Sequence, residues 1–275
     1  MKGILYIVST PIGNLEDITL RALRVLKEVD VIAAEDTRHS LKLLSHYGIS
    51  KPMISHWKEK ERTKAEEIIR RLLSGQSVAL ISDAGTPGIS DPGAILIKMA
   101  IEENVAVVSI PGPSACIAAL SMSGLLTDQF AFIGFLPAKK IQRQKMLTEL
   151  SLETKTLIFY EAPHRIIETL LDMETIFSGR RAALVKEITK IHEEVLRGHI
   201  SEILSSLEKT KIAGEYILII EGKTGKDKVS TADVLMEIHS LLRKGLGRKE
   251  AVKKIAEQYG LSKKELYDRS LNEIP

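Results

Sequence analysis

Four short apolar runs alternate with helical patterns in the first 110 residues, and this alternation constrains the fold more than any other feature. The runs occupy residues 4–8, 31–34, 78–81 and 105–110. A continuous apolar run is typical of a strand that is buried on both faces of its sheet. Because strands that alternate with helices form βαβ units, we predict a mostly parallel sheet.

A second group of predicted strands follows a turn-rich stretch. Pro111-Gly112-Pro113 and the small residues at 121–124 suggest a hinge near residues 111–128. The later strands are predicted at 130–135, 156–160, 182–185 and 216–220, with helical patterns at 164–176 and 200–207 between them. We therefore predict an α/β protein with two α/β domains, at residues 1–115 and 116–222, and leave the strand directions of the second domain open.

The last part of the chain differs from the rest in charge. From residue 223 onward there are twelve Lys or Arg against eight Asp or Glu, whereas the preceding residues are nearly neutral. Residues 223–228 have the composition of a linker, Ser230 and Ser262 begin helix-capping patterns, and Gly260 ends a helix between them. We predict a small helical, helix-turn-helix-like unit at residues 223–275. Its charge favours contact with a polyanion, although a solvated lysine-rich surface explains the charge equally well.

Composition excludes several classes of protein. No apolar run approaches the roughly 20 residues of a membrane-spanning helix, and residues 1–5 lack a cleavable signal pattern. Cys116 is the one cysteine, which excludes an internal disulfide, and the seven histidines contain no HxxxH pair. We expect a cytoplasmic protein with no membrane partner and no metal site.

Loops rich in small and polar residues follow the four predicted N-terminal strands. They span residues 9–17, 35–38, 82–93 and 111–115. Because ligands of open parallel sheets bind outside the carboxyl ends of the strands, we expect the four loops to line one pocket. The third loop holds three glycines and two prolines from Gly85 to Gly93, which allow close backbone approach and fix the loop shape. Each loop alone would be an ordinary strand-to-helix turn.

The loops lack the patterns of three common α/β enzyme classes. None of them is GxGxxG, and no GxxxxGK[ST] occurs in the chain, so the dinucleotide-binding and P-loop interpretations lack their phosphate cradles. Ser114 lies one residue away from a GxSxG nucleophile elbow, and no histidine follows a strand as a hydrolase base would. The predicted pocket therefore requires another ligand.

Several separate motifs, in order along residues 3–222, resemble those of one known family. SDAGTP at 82–87, DPG at 91–93, PGPSA at 111–115 and EDTR at 35–38 resemble the tetrapyrrole methylase superfamily. Residues 9–19, 159–165 and 186–194 resemble one branch of it, whose members methylate the 2'-oxygen of a cytidine ribose in 16S rRNA. The resemblance implies two α/β domains around a cleft for S-adenosylmethionine, a substrate in the small ribosomal subunit, and a homodimer.

The resemblance also implies roles for single residues. Carried over by motif, the cofactor contacts fall on Pro11, Ala84, Gly85, Thr86, Ile89, Ser114, Ala115 and Glu161. Relatives that methylate tetrapyrroles have Gly-x-Gly-Pro-Gly in the first loop, whereas this chain has Ser-Thr-Pro-Ile-Gly at residues 9–13. This difference favours the RNA branch; the alternatives are a methylase of a tetrapyrrole-like small molecule and a non-catalytic RNA-binding protein.

Methyl transfer to a ribose hydroxyl requires alignment of oxygen, carbon and sulfur, and removal of the hydroxyl proton. We expect Glu35 or Asp36 to supply a carboxylate, Arg38 to anchor a phosphate or the loop, and Lys190 to stabilise a developing alkoxide. The alternative for Asp36 and Arg38 is that they only cap the following helix. Basic residues of the second domain and of the C-terminal helices are expected to contact RNA: Arg165, Arg243, Lys244, Arg248, Lys249, Lys253 and Lys254.

Overall fold

The chain divides into two units, Met1–Gly222 and Lys223–Pro275. The computed structural model describes residues 1–57, 61–207, 212–223, 231–259 and 261–273. The predicted linker, apart from Lys223, lies outside the described residues, as do Ser230 and Gly260.

Five parallel strands form the first sheet, which confirms the predicted parallel arrangement. They are β1 (Ile4–Val8), β2 (Val31–Ala34), β3 (Met53–Ser55), β4 (Val78–Ile81) and β5 (Ala106–Ile110), in the order β3-β2-β4-β1-β5. Four helices connect them: α1 (Leu20–Glu28), α2 (Thr37–His46), α3 (Glu61–Leu73) and α4 (Ala94–Glu102). The strand β3 was not predicted, because three residues carry too little pattern to indicate a strand.

Both faces of this sheet are covered, as the continuous apolar runs indicate. Leu5 packs in one cluster with Ile68 of α3 and Leu96 of α4. Val8, whose side chain points to the opposite face, packs in another cluster with Leu26 of α1. Because the helices cover the faces, the loops at the carboxyl ends of the strands remain available to form a site.

The second sheet is mixed. It contains β6 (Phe130–Phe135), β7 (Thr156–Glu161), β8 (Arg181–Lys186), β9 (Glu194–His199) and β10 (Tyr216–Ile220), in the order β6-β7-β10-β8-β9. Only the β6–β7 pair is parallel among the pairs described. Its helices are α5 (Ala115–Ser123), α6 (Lys140–Glu149), α7 (Ile166–Ile176) and α8 (Ile200–Leu207). The strand β9 was not predicted, because this polar edge strand lacks an apolar run.

A shared apolar cluster joins the two sheets. Ile12, from the loop after β1, packs in it with Leu120 of α5 and with Ile217 and Ile219 of β10. The helix α5 starts directly after the loop that ends β5. The loops of the first sheet are therefore fixed against the second sheet by packing and by chain continuity.

Three helices are described in the smaller unit. They are α9 (Thr231–Arg243), α10 (Arg248–Tyr259) and α11 (Lys263–Glu273). Ile238, Val252, Ile255 and Leu266 pack into a common apolar cluster. In the part of the chain described, no helix has both the length and the apolar composition that a membrane span requires.

Candidate active site

A cavity of about 390 Å³ lies between the loops of the first sheet and one end of the second sheet. Its volume falls within the range of roughly 300–1,000 Å³ that is common for small-molecule sites. The first sheet contributes Ile12, Ala84, Gly85, Thr86, Ile89, Asp91, Ser114 and Ala115 to its lining. The second sheet and its loops contribute Tyr160, Glu161, Ile188, Glu215, Tyr216 and Ile217.

Hydrogen bonds fix three loops of the first sheet to one another. Thr10 and Gly85 exchange two backbone hydrogen bonds, of 2.9 and 3.0 Å. Ser9 Oγ lies 2.8 Å from Thr86 Oγ1, and Thr86 Oγ1 donates to the Pro113 carbonyl at 3.3 Å. The loops after β1, β4 and β5 therefore form one preorganised surface.

Two glycines allow this loop cluster to close. Gly85 has a φ of +80°, in the left-handed region that favours glycine. At Gly13 a Cβ atom would lie 2.6 Å from Cγ of Lys190. The loop after β1 therefore touches the loop after β8, and this contact joins the two sheets beside the cavity.

Both carboxylate oxygens of Glu161, at the end of β7, accept hydrogen bonds from other groups of the protein. Its Oε1 accepts hydrogen bonds from Ala162 N at 2.8 Å and from Nε and Nη2 of Arg165 at 2.9 and 2.6 Å. Its Oε2 accepts a hydrogen bond from Thr169 Oγ1 at 2.7 Å. The carboxylate therefore orders the cavity wall at the junction of β7 and α7.

A second polar group on this wall has no such partners. The Tyr216 hydroxyl is buried and makes no hydrogen bond to any of the described residues. An unsatisfied buried polar group costs about 1–3 kcal/mol, which a bound ligand could offset by supplying a partner. Ile12, Ile188 and Ile217 give the cavity apolar sides. Together with the backbone groups of the loops, this lining suits a nucleoside-sized ligand that has both apolar and polar parts.

Most of the residues predicted to contact the cofactor meet at this cavity. Seven of the eight line it: Ala84, Gly85, Thr86, Ile89, Ser114, Ala115 and Glu161. Pro11 is buried beside Ile12 and does not belong to the lining. The structure thus brings the third loop, the fourth loop and the end of β7 to one place, and their contact with the cofactor stays a prediction. The second loop, residues 35–38, does not line this cavity, so the expectation that all four loops line one pocket is wrong for it.

Asp36 and Arg38 lie at the start of α2, where their contacts are those of a helix cap. Asp36 Oδ1 accepts a hydrogen bond from Arg38 N at 2.8 Å, and its Oδ2 lies 3.4 Å from Arg38 Nη2. The Arg38 backbone N–H, followed by its side chain, lowers the pKa of Asp36. The Arg38 side chain is 91% exposed and that of Asp36 40%. Neither residue lines the cavity.

The other two residues predicted for the chemistry are more enclosed. Glu35 is half-buried, and burial together with the charge of Asp91 raises the pKa of its carboxyl group. Lys190 donates hydrogen bonds of 2.9 Å to both Glu187 and Glu215. Burial opposes the charge of Lys190, but these hydrogen bonds outweigh it and raise its pKa. Glu215 lines the cavity, so Lys190 is one contact removed from it.

Five polar lining residues had no predicted role: Ser90, Asp91, Tyr160, Glu215 and Tyr216. Asp91 lies in the third loop, where its DPG motif marked the segment but not the side chain. Tyr160 lies in a motif of the resemblance, so a signal was present. Tyr216 looks in the sequence like any apolar strand residue, and only the sheet order places it beside Glu161.

The basic residues predicted to contact RNA lie in both units. Arg165 is 17% exposed at its side chain, because it pairs with Glu161. In the smaller unit, Arg248 donates to the Ser270 carbonyl, whereas the following residues are exposed: Arg243, Lys244, Lys249, Lys253 and Lys254. A second cavity, of about 320 Å³, is bordered there by Lys249, Val252, Lys253, Lys263, Lys264, Tyr267 and Asp268.

Sequence comparison identifies relatives over nearly the whole chain. The family model for Tetrapyrrole (Corrin/Porphyrin) Methylases matches residues 4–204. Ribosomal RNA small subunit methyltransferase I of Synechocystis sp. is 46% identical over 272 residues, which cover 98% of both chains. The protein of the same name from Xylella fastidiosa is 47% identical over 268 residues, covering 96% of this chain and 98% of the relative.

The fold also matches solved structures. Uroporphyrin-III C-methyl transferase from Thermus thermophilus, complexed with S-adenyl homocysteine, superposes with a TM-score of 0.57 at 19% identity. The match covers 80% of this chain and 97% of that one. The predicted family and fold are thus confirmed, and the chain belongs to the Tetrapyrrole (Corrin/Porphyrin) Methylases, in the group of relatives named ribosomal RNA small subunit methyltransferase I.

Proposed function

We propose that the chain methylates the 2'-oxygen of a cytidine ribose in 16S rRNA, with S-adenosylmethionine as the methyl donor. The near-complete length of the match carries the proposal. Relatives named for the small ribosomal subunit cover 96–98% of the chain, so they extend well beyond residue 204, where the match to the methylase model ends. The match to proteins that are named for an RNA substrate therefore extends into the basic helical unit.

S-adenosylmethionine is the cofactor, and the main cavity fits it. Its sulfonium supplies an activated methyl group when it is bound. The backbone groups of Ala84, Gly85 and Thr86, and those of Ser114 and Ala115, are assigned to its polar parts. Three further residues are assigned to the cofactor site. Pro11 supports it from behind Ile12, Ile89 lies at its rim, and Glu161 orders its wall.

The remaining task of the chain is to position the ribose and to remove its proton. Glu35 supplies a carboxylate beside the cavity, and Asp36 fixes the start of α2 that carries Arg38. The exposed guanidinium of Arg38 is assigned to an RNA phosphate, since its ion pair with Asp36 is solvent-exposed and weak. Lys190 is assigned to the stabilisation of negative charge that develops on the ribose oxygen.

RNA docking is assigned to the basic surfaces. The exposed Lys249 and Lys253 lie with Lys263 and Lys264 around the second cavity, where they attract phosphates. Arg165, Arg243, Lys244, Arg248 and Lys254 complete the proposed RNA contacts. The proposal includes action in the cytoplasm, which is the expectation from the sequence composition, and a homodimer, which the family resemblance implies; analytical ultracentrifugation tests the homodimer.

The test is transfer of a tritiated methyl group to purified small ribosomal subunits from a strain that lacks the gene. We expect label in 16S rRNA, and nuclease digestion should release it as a cytidine that is methylated on the ribose. Subunits from a strain that retains the gene are the control, because their site is already methylated and accepts no label. Label on a base, or loss of transfer when a tetrapyrrole competes, would contradict the proposal.

A further inference from the structure

Asp91 differs from the other two acids that line the main cavity. Glu161 is saturated by Arg165 and by other donors of its own sheet. Glu215 is paired with Lys190 at 2.9 Å. Asp91 lines the cavity and has no ion pair within the described part of the chain. It is therefore the lining carboxylate that is not already neutralised.

The groups that face Asp91 come from three separate strands. Glu35 follows β2, Ser82 and Asp83 follow β4, and Tyr160 lies on β7 across the cavity. Glu35 Oε2 accepts a hydrogen bond from Asp83 N at 3.4 Å, which fixes the acidic loops side by side. None of the groups that act on Asp91 is a cation.

This environment makes Asp91 a stronger proton acceptor than an exposed aspartate. Burial raises its pKa, the Ser82 hydroxyl opposes the rise, and the charge of Asp83 adds to it. The same crowding raises the pKa of Glu35, on which burial acts first and Asp91 second. General-base efficiency increases as the pKa of the base approaches the working pH, provided that the base is within reach of the proton. Asp91 lies on the cavity wall, and its pKa is raised toward that range.

We propose that the Asp91 carboxylate is the catalytic base that accepts the proton of the ribose 2'-hydroxyl, with Glu35 as a positioning residue beside it. This inference rests on the proposed function and replaces Glu35, which does not line the cavity, with Asp91 as the group that removes the proton. As the 2'-oxygen bonds to the methyl carbon, the carbon–sulfur bond breaks and its electron pair stays on sulfur. The proton passes from the 2'-oxygen to Asp91, which releases it to water after the product leaves.

The first test replaces the base without changing its size. Asp91→Asn is assayed in the full-length protein by single-turnover methylation of small subunits at saturating S-adenosylmethionine. We expect the rate to fall by about 10²- to 10⁴-fold, with cofactor affinity by calorimetry unchanged. Asp128→Asn, which changes an exposed aspartate outside the cavity lining, is the matched control and should keep the wild-type rate.

The second test asks whether Glu35 acts on Asp91 through its charge or has only a structural role. The single-turnover rate should rise with pH as Asp91 ionises. Because the charges of Glu35 and Asp91 interact, Glu35→Gln removes a neighbouring negative charge, and the acid limb should move to lower pH. Glu35→Asp keeps the charge and should leave the limb near its wild-type position.

The outcomes separate this inference from the proposed function. If the wild-type protein labels no ribose, the proposed function fails first. If the wild type labels ribose and Asp91→Asn retains the rate within tenfold, Asp91 is not the base. Loss of cofactor affinity in Asp91→Asn would make it a cofactor contact instead, and an unmoved acid limb in Glu35→Gln would overturn the role of Glu35.

Discussion

Arg165 holds a single carboxylate oxygen of Glu161 with two nitrogen atoms, Nε at 2.9 Å and Nη2 at 2.6 Å. The Glu161 side chain is only 1% exposed. The other carboxylate oxygen of Glu161 accepts a hydrogen bond from Thr169. All the partners of this buried charge therefore lie in the first turn of α7 and in the turn that precedes it. This arrangement fixes the end of β7, and with it one wall of the main cavity.

Glu161→Gln should destabilise the protein. The variant leaves the Arg165 guanidinium partly buried without its counter-charge, and removing one partner of a buried pair typically costs about 3–5 kcal/mol. Because Arg165 retains some exposure, we expect about 2–4 kcal/mol, measured by urea unfolding. The control is Glu149→Gln, an exposed glutamate at the end of α6, which should change stability by less than about 0.5 kcal/mol. Equal stabilities of the two variants would contradict the structural role.

Gly85→Ala should weaken cofactor binding as well as stability. The φ of +80° costs an alanine about 1–2 kcal/mol, and the added Cβ would lie 3.4 Å from Cγ2 of Ile12, a neighbour on the cavity wall. We expect a Kd for S-adenosylmethionine about tenfold higher, equivalent to roughly 1.4 kcal/mol, measured by calorimetry.

Gly124→Ala provides the matched control for this change. Gly124 has a φ of +75°, and a Cβ there would meet nothing within 4 Å. Both variants should therefore lose similar stability from backbone strain, whereas cofactor affinity should change in Gly85→Ala alone. Equal affinities would remove the Gly85 loop from the proposed cofactor site.

The local pattern of apolar residues predicted the strands that are buried in the centre of the first sheet. The continuous apolar runs of β2 and β4 correspond to strands in which every residue is buried. The edge strand β9 and the short strand β3 were missed, because their pairing depends on neighbours that are distant in sequence. The strand β3 has only three residues and β9 has no buried residue, so neither carries a continuous apolar run.

In the candidate site, too, some features were predicted from the sequence and others were not. The motifs around Gly85 and Ser114 were expected at one sheet edge, and the sheet order places them there. The relation of Asp91 to Glu35 was not predicted, because 56 residues separate them and only the pairing of β2 with β4 brings their loops together. Sequence patterns therefore located the loops but not the electrostatic contacts between them.

His56→Leu should make stability less sensitive to acid. His56 is fully buried, and neither ring nitrogen has a hydrogen-bond partner among the described residues. Burial lowers its pKa, although the charge of Glu61 acts in the opposite direction. The folded state therefore keeps this histidine neutral, while the unfolded chain binds a proton as pH falls below about 6.5.

The sign follows from this difference in proton binding. Below about pH 6.5 the unfolded state gains a proton that the folded state does not, so the free energy of unfolding decreases as the pH is lowered. Between pH 7.5 and 5.5 the wild type should lose about 1 kcal/mol more than His56→Leu, measured by urea unfolding. His192→Gln, which alters an exposed histidine, should keep the wild-type slope. A wild-type slope in His56→Leu would show that His56 takes up its proton equally in the folded and unfolded states, so that its pKa is not lowered by folding.

Lys249→Gln with Lys253→Gln should reduce the salt dependence of RNA binding. Both lysines are exposed on α10 and border the second cavity, where their charges can meet phosphates. Each lost phosphate contact lowers the slope of log Kd against log salt by about 1, so we expect a decrease of about 2 between 50 and 200 mM salt, measured by filter binding to 16S rRNA. Lys98→Gln on α4, whose side chain is 77% exposed, is the control. If the double variant and this control have the same slope, RNA docking does not involve this lysine-bordered surface.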